Sequence, residues 1–467
     1  MEKTKVTASK RFSGPLQVHP RNPRYFADSN GKAIYLTGSH TWSNVQEYES
    51  NKPFDYEAYL NWLQQYNHNF TRLWFWECGT QAEWMHGWRK EKLLVHPLAY
   101  ERTGPRKAFD SKPKFDLTKF NPEYFDRLRE RVMLAKERGI WVSVMLFQGW
   151  ELEKKGRYAN PWNGHPYNKK NNINGIDGDP NGKENGYQIQ TLEIPAITRL
   201  QETYVRKIID TVNDLDNVMY EISNESDDTS TQWHYHMINY IHEYEKTKPK
   251  QHPVGMTFQY SRDNMGTNKN LFESPADWIS PNREAKGGYS YCYNPPPADG
   301  RKVILNDTDH LWGMAGDSVW VWKSFLRVLN PIFMDPYDTG FMDPCDSGLI
   351  DVGKIDPDWE SARIAMGQTL TFAERINLSE MTPHPEFAHT GYCLANPGVE
   401  YLIYRPPYMT RRIQVDLSAA KGNLSVEWFN PDVGVSVEAK PVIGGSKQVF
   451  VAPFDDAAVL YIKSCRP

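Results

Sequence analysis

At 467 residues, with 39% hydrophobic and 24% charged content, the chain is long enough for two or three domains, or for one large barrel with an accessory module. The net charge is only -4 and the Lys and Arg residues are scattered, which argues against nucleic acid as a partner. No apolar run approaches the roughly 20 residues of a membrane span, so a membrane is not an expected partner either.

The N-terminal stretch "MEKTKVTASKRFSGPL" has no apolar segment of the signal-peptide kind. The five cysteines are an odd number without a C-x-x-C pair and read as isolated thiols. Together these point to a cytoplasmic, reducing setting, or to a secreted or periplasmic one where a leader has been removed. Aromatic content is 13%, with 16 Trp and 26 Tyr. Aromatic faces stack on the apolar faces of sugars, and their N–H and O–H groups bond hydroxyls, although a large aromatic core has the same composition.

In chain order, "RYFADSNGKAIYLTGSH" (24–40) reads as a hairpin around Asn30-Gly31, with "AIYLTGS" (33–39) as the first barrel strand. Helix and strand patterns then alternate. Strands are expected at 70–76, 140–147, 217–223, 253–260, 277–282, 302–307 and 331–336. Helices are expected at 54–67, 121–139, 194–215, 237–246, 318–329 and 359–377. The second is the best marked: Asn121 caps it, Pro122 opens it and Gly139 ends it. Eight strands so separated predict an α/β fold, a (β/α)₈ TIM barrel enlarged by its loops. From about residue 383, short alternating strands punctuated by Gly, Pro and Asn predict a small all-β sandwich. The expected domains are therefore a barrel with its hairpin over 1–382 and a sandwich over 383–467.

Barrel chemistry belongs at the C-terminal ends of the strands. Those ends offer His40 and Trp42; Arg72, Trp74 and Trp76 at period two; Gln148 and Trp150; Asn224 and Glu225; Gln259 and Tyr260; Asp307, Asp309, His310 and Trp312; and Asp335. The set is acidic and aromatic, with amides and one arginine, and has no Gly-rich phosphate cradle. It suits cleavage of a glycosidic bond, in which one carboxylic acid protonates the leaving oxygen and a second carboxylate attacks or activates water. Glu225 is the expected acid, and Asp307 or Asp309 the second group. Glu221 shares a face with Glu225 but sits deeper, where a structural role is expected, pairing with Arg72 or bonding backbone.

"VMYEISNES" (218–226) resembles the fourth-strand motif of clan A glycoside hydrolases, and "RKVILND" (301–307) resembles their seventh strand. "NPRYFADSNGKAIYLTGSHTW" and "IQVDLSAAKGNLSVEWFNP" resemble the apiosidase-like branch, whose barrel carries a small C-terminal β-sandwich. The resemblance implies that Glu225 is the general acid/base and Asp307 the nucleophile, with Arg72 beneath it and Asn224 bonding a sugar 2-hydroxyl. The seventh strand departs from the clan by offering Asp instead of Glu. Unless the backbone shifts, a shorter side chain widens the gap between the carboxyls, from the roughly 5–5.5 Å of retaining enzymes towards the roughly 6.5–9.5 Å of inverting ones. Both outcomes stay open, and the clan resemblance favours retention over inversion.

The expected partner is an oligosaccharide or polysaccharide, and no cofactor or metal is called for. His40, Arg72, Gln148, Asn224 and His310 are expected to position it, and Trp42, Trp76 and Trp150 to stack on it, with Trp74, Tyr260 and Trp312 beside them. The alternative is a non-catalytic carbohydrate-binding protein on a degenerate barrel. His234 and His236 are two apart on a helix and do not face one ion. "DGDPNGKENGYQ" (177–188) starts like a calcium loop but ends on Gln188. It belongs to a long polar loop expected to reach over the site.

Overall fold

A computed structural model of the chain describes residues 12–42, 44–48, 53–81, 93–152, 160–261, 264–335, 337 and 357–465. Eight strands form one parallel sheet: β1 Gly38–His40, β2 Phe70–Leu73, β3 Trp141–Gln148, β4 Val218–Asn224, β5 Val254–Thr257, β6 Trp278–Ser280, β7 Val303–Asp307 and β8 Asn330–Met334. From β2 to β8 each pairs with the next in chain order, and β8 pairs back on β1 through Ile332 and Gly38. The seam between β1 and β2 closes differently. The Asn69 amide N–H donates to Thr37 O at 3.1 Å, the Asn69 side chain accepts from Thr37 N at 2.9 Å, and the Tyr59 hydroxyl touches both Ser39 O and Thr71 Oγ1 at 2.9 Å.

Several strands are shorter than their apolar runs. Ala33–Ile34 pairs with Phe26–Ala27 in a three-stranded N-terminal sheet with Gln17–Val18, so the first barrel strand begins only at Gly38. The strand expected over 70–76 ends at Leu73. Beyond it, Trp74 N and Trp76 N donate to the side chains of Asn44 (2.8 Å) and Gln46 (2.6 Å), which take the place of a neighbouring strand. The fifth strand stops at Thr257 and the sixth at Ser280.

The bottom of the barrel is filled by Phe70, Trp141, Met219, Trp278, Val303 and Ile332, and the N-terminal sheet plugs it with Leu16, Phe26 and Leu36. Gly255 makes room there: a Cβ at that position would lie 1.9 Å from the Trp278 ring. Around the barrel run α1 Tyr56–Gln65, α2 Pro122–Glu137, α3 Pro195–Val212, α4 Thr231–Glu245, the short α5 Asn268–Glu273, α6 Ser318–Leu326 and α7 Pro357–Arg375. In α2 the Asn121 side chain accepts from Glu123 N, Phe125, Leu128, Val132 and Ala135 are buried, and Gly139 exits at φ +72°. No helix among the described residues is long and apolar enough to cross a membrane.

A long hairpin, Tyr100–Lys107 with Pro113–Phe120, rises from the loop after β2. Its charged sequence hides it from periodicity. The polar loop after β3 is pinned to this hairpin through Phe115 N to Asn171 O (2.8 Å) and Ile173 N to Phe115 O (2.9 Å). Its Asp179 accepts from Lys183 N and Glu184 N, and its Asp177 pairs with Lys169 at 2.6 Å. The stretch "DPYDTGFMDPCDSG" (335–348) after the eighth strand reads in the sequence as a similar candidate rim of the site, and it lies outside the described residues except for Asp335 and Tyr337.

The C-terminal strands are β9 Thr382–Pro383, β10 Cys393–Asn396, β11 Glu400–Arg405, β12 Arg412–Asp416, β13 Asn423–Asn430, β14 Val435–Ile443, β15 Lys447–Val451 and β16 Ala458–Ser464. Six form an antiparallel sheet in the order β9-β10-β11-β16-β13-β14, and β12 pairs with β15. One face of the larger sheet packs on α6 and α7: Trp322 stacks on Tyr404 at 6.0 Å, Phe372 meets Phe429 at 5.2 Å, and Gln368 donates to Pro431 O at 2.7 Å. These residues belong to one continuous core with the barrel. A chain truncated after residue 381 would expose Trp322 and Phe372 to water, and we expect its soluble yield to collapse on expression beside the full chain.

Two buried histidines make stability depend on pH. Burial lowers the His234 imidazole to about 3 and His68 to about 4. Among the described residues neither ring nitrogen of His234 has a hydrogen-bond partner. The unfolded chain takes up these protons near pH 6.5 and the folded chain does not, so stability is complete above that pH and falls below it. The cost is about 1.4 kcal/mol per pH unit per histidine. Between pH 7 and 5, His234→Leu should lose about 2 kcal/mol less than wild type in urea unfolding. An identical loss in both would show that His234 is protonated in the fold.

Candidate functional site

The strand ends converge on one guanidinium. Arg72, on β2, is buried and donates to Glu221 through Nε (2.9 Å) and Nη2 (2.6 Å), to Asn224 Oδ1 (3.1 Å), to Asp307 Oδ2 (3.1 Å) and to Asp309 Oδ2 (2.8 Å). Burial alone would lower its pKa, but Glu221 and the two aspartates outweigh burial and hold it charged. Of the two structural roles expected of Glu221, it takes the pair with Arg72, and the pair is bidentate.

The two aspartates differ in what they face. β7 ends at Asp307 and the chain turns at once into a 3₁₀ segment, Thr308–His310, which Asp307 caps by accepting from Asp309 N at 3.0 Å. Asp307 also accepts from His40 Nε2 at 2.9 Å, so with Arg72 both of its oxygens are engaged. Burial would raise the Asp307 carboxyl, yet His40 and Arg72 hold it well below the usual carboxylate range. Asp309 is carried on the turn, is less buried, and lines a cavity at the mouth of the barrel that Asp307 does not reach. Two-residue strand spacing does not relate the pair, because the strand has ended between them.

Asn224 accepts from Arg72 and from His310 Nε2 (3.2 Å), and its own Nδ2 donates to Gln148 Oε1 at 3.2 Å. The Ser280 hydroxyl lies 2.7 Å from His310 Nδ1 and donates to it in this tautomer. Burial lowers the His310 pKa against the pull of Asp309, consistent with a neutral ring that donates from Nε2.

Glu225 follows Asn224 with φ +46°, a left-handed conformation that non-glycine residues seldom adopt. The chain leaves β4 here through a sharp bend, and Gly149 at the end of β3 accommodates it. A Cβ on Gly149 would lie 2.6 Å from Glu225 O and 2.4 Å from Ser226 Cα. The bend delivers the Glu225 side chain to the same cavity as Asp309. This cavity, about 620 Å³, is also lined by Tyr260, Asn282, His310 and Trp312.

Of the other expected residues, Trp42, Trp74, Trp76 and Trp150 form a chain of rings with centroids 6.2, 5.6 and 5.9 Å apart. The first three are buried and Trp150 is half-buried. Trp74 also stacks on His40 and lies beneath the Arg72 guanidinium. Gln259 is consumed by the loop after β4, donating to Asp227 O and Ser230 Oγ. Asp335 faces outward to Arg363 of α7 at 2.7 and 2.8 Å. No residue of the polar loop 160–182 lines the cavity, because that loop is held on the 100–120 hairpin. His236 pairs with Glu202 at 2.8 Å, away from buried His234. Among the described residues no group of three His, Cys, Asp or Glu side chains is arranged for a metal.

Sequence reading missed Asn44, Gln46, Gly149 and Ser280. The first two carried a signal: amides at period two just after a strand. Asn44 also bonds Arg72 O at 2.7 Å, and Gln46 bonds Trp76 O and Pro97 O at 2.9 Å.

The model of a domain of unknown function (DUF6298) matches residues 95–265, a stretch that holds β3, β4 and β5 with Gln148, Asn224 and Glu225. No curated protein matches the chain. Solved structures resemble it over nearly its whole length. A glycoside hydrolase family 5 protein from Bacteroides vulgatus has a TM-score of 0.62 at 13% identity, over 99% of this chain and 95% of that one. A structure described as a glycoside hydrolase also scores 0.62 at 12% identity, over 99% of both chains. A putative glycoside hydrolase from Bacteroides vulgatus scores 0.61 at 14% identity, over 97% of this chain and 83% of that one. What the chain shares with them is the fold: a (β/α)₈ barrel followed by antiparallel sheets.

Gly149→Ala should displace the Glu225–Ser226 backbone and cost about 1–3 kcal/mol in urea unfolding. An unchanged midpoint would show that the β4 bend yields freely.

Proposed function

We propose that the protein is a glycoside hydrolase of clan A, in which Glu225 is the general acid/base and Asp309 the second carboxylate. The observation that carries this reading is Glu225 itself: a strained backbone at the end of β4 presents its carboxyl to the cavity that Asp309 lines. Strain of about 1–3 kcal/mol persists in a fold where the surroundings enforce it, and such residues cluster at functional sites. The family names of the fold's relatives and the resemblance of "VMYEISNES" support the same chemistry.

The role of Asp307 then changes. With one oxygen on His40 and Asp309 N and the other on Arg72, Asp307 positions the guanidinium, and Arg72 in turn orients Asp309. The 3₁₀ turn carries Asp309 beyond the strand end, which makes up for the methylene that Asp lacks relative to Glu, and this favours retention. Asp309 attacks the anomeric carbon and forms a glycosyl ester while Glu225 protonates the departing oxygen. Water then attacks that carbon, giving its proton to Glu225 and releasing the Asp309 carboxylate. Neutral His310 fixes the orientation of the Asn224 amide, whose second Nδ2–H is the group that meets a sugar hydroxyl. The substrate we favour is a cell-wall glycan of plant or microbial origin, as in the apiosidase-like branch. We assign the chemistry to residues 1–382 and a bracing role to 383–467.

Wild type, Glu225→Gln, Asp309→Asn and Asp307→Asn should be assayed for sugar released from plant and bacterial oligosaccharides, furanosides included. Glu225→Gln and Asp309→Asn should each lose on the order of 10²–10⁴-fold, and Asp307→Asn clearly less. An active Asp309→Asn beside a dead Asp307→Asn would exchange the two aspartates. No release by wild type across the panel would favour a carbohydrate-binding protein. Proton NMR of the first-formed anomer reads retention directly.

A further inference from the structure

The cavity at the barrel mouth has a neighbour. A second cavity, of about 430 Å³, lies between α5 and the hairpin formed by Ala285–Lys286 and Tyr289–Ser290. Glu284 lines both cavities. A rigid strut separates them elsewhere: the Asn268 side chain accepts from Asn282 N at 2.9 Å and donates to Asn282 O at 3.2 Å. Asn282 lines the first cavity and Asn268 the second. Both volumes fall within the roughly 300–1,000 Å³ of small-molecule sites.

The lining of the second cavity combines aromatic rings with a polar rim. Phe272 and Tyr289 are half-buried, neither sealed in the core nor free in solvent. A cation lies over each ring, the Arg301 guanidinium, itself part of the lining, 4.3 Å from the Phe272 centroid and that of Arg327 5.3 Å from Tyr289. At the rim, Lys269 is held by Glu273 at 3.7 Å and Arg301 by Asp299 at 2.7 Å, while Lys286 is exposed and makes no ion pair among the described residues. Cationic donors and carboxylate acceptors around half-exposed rings match a sugar, which offers a C–H face and a ring of hydroxyls. They do not match a lipid, which has no use for the charged rim.

We infer that this second cavity is a distal sugar-binding site, occupied by a unit of the same glycan chain whose scissile bond sits between Glu225 and Asp309. The inference rests on the hydrolase reading for what happens at the first cavity, but binding at the second can be measured without turnover. Its consequence is a preference for long chains: a substrate passes over Glu284 and is held on both sides of it, instead of ending in a closed pocket.

Native gels cast with arabinoxylan, galactomannan, arabinogalactan or homogalacturonan report binding by retardation. They should be run with the Glu225→Gln protein, alone and with Tyr289→Ala, Phe272→Ala or Lys286→Glu added, and thermal melts should confirm that each variant folds. Lys286→Glu changes an exposed residue and guards against misfolding of the aromatic variants. We expect at least one polysaccharide to retard the parent and the added substitutions to weaken its binding about 10-fold. Calorimetry with the two-unit and six-unit oligosaccharides of that polysaccharide should show the loss for the longer ligand only. Unchanged retardation in all three variants overturns the inference, as does a parent that no polysaccharide retards. Failure of the hydrolase reading looks different: retardation is intact, but Glu225→Gln releases sugar as wild type does, or wild type releases none.

Discussion

The site is organised around the Arg72 guanidinium. It is buried near the barrel axis and spans four acceptor groups from two strands and a turn: Glu221 and Asn224 on β4, Asp307 at the end of β7, and Asp309 just past it. A buried guanidinium needs this many partners, since an unpaired charge in the interior costs several kcal/mol. The planar fork also fixes angles as well as distances. Once Glu221 holds one edge bidentately, the direction of Nη1 is set, and the two aspartates must come to it. Opposite sides of the barrel are thereby tied together under the cavity.

The partners of that cation are in acidic excess, with three carboxyl groups around one guanidinium. His40 bonds one of them, Asp307, which is held ionised. In a glycosidase reading, the excess is useful. Cleavage passes through a transition state with positive charge on the sugar ring, and a preorganised negative field beneath it needs no reorganisation to stabilise that charge. The same residues in a pure binding site would leave Glu225 strained to no chemical purpose.

Much of this architecture is legible in the sequence, for particular reasons. The helix at Pro122–Glu137 announces both its ends, and Glu225 stands out because an interior strand terminates on Asn and Glu. Other features depend on contacts between distant segments. No pattern within 70–76 shows that Trp74 and Trp76 take their backbone partners from Asn44 and Gln46, which is why the strand reads too long. No local signal marks Gly149, whose need for a hydrogen in place of Cβ arises from a backbone bend 76 residues further on. What separates Asp307 from Asp309 is hidden for the same reason. Strand periodicity places them on one face, but the turn between them leaves both on Arg72, Asp307 with His40 as well and Asp309 on the cavity.

The C-terminal sheets follow from the way the barrel closes. The last barrel helix, α7, anchors to the β8 end through the Arg363–Asp335 pair and to the segment before β2 through Arg363 O, which His68 reaches at 3.0 Å. Asp335 N in turn bonds His40 O at 2.8 Å. The helix that seals the β8–β1–β2 seam is thus tied by its inner face to the backbone of His40, whose ring holds Asp307. Its outer face carries Phe372, which a lone barrel would present to water. The six-stranded sheet covers that face with Phe429 and Tyr461. Support for the site therefore runs from the sheet through α7 to His40, and a cover over α7 is a structural requirement of the barrel whether or not the sheet binds glycan.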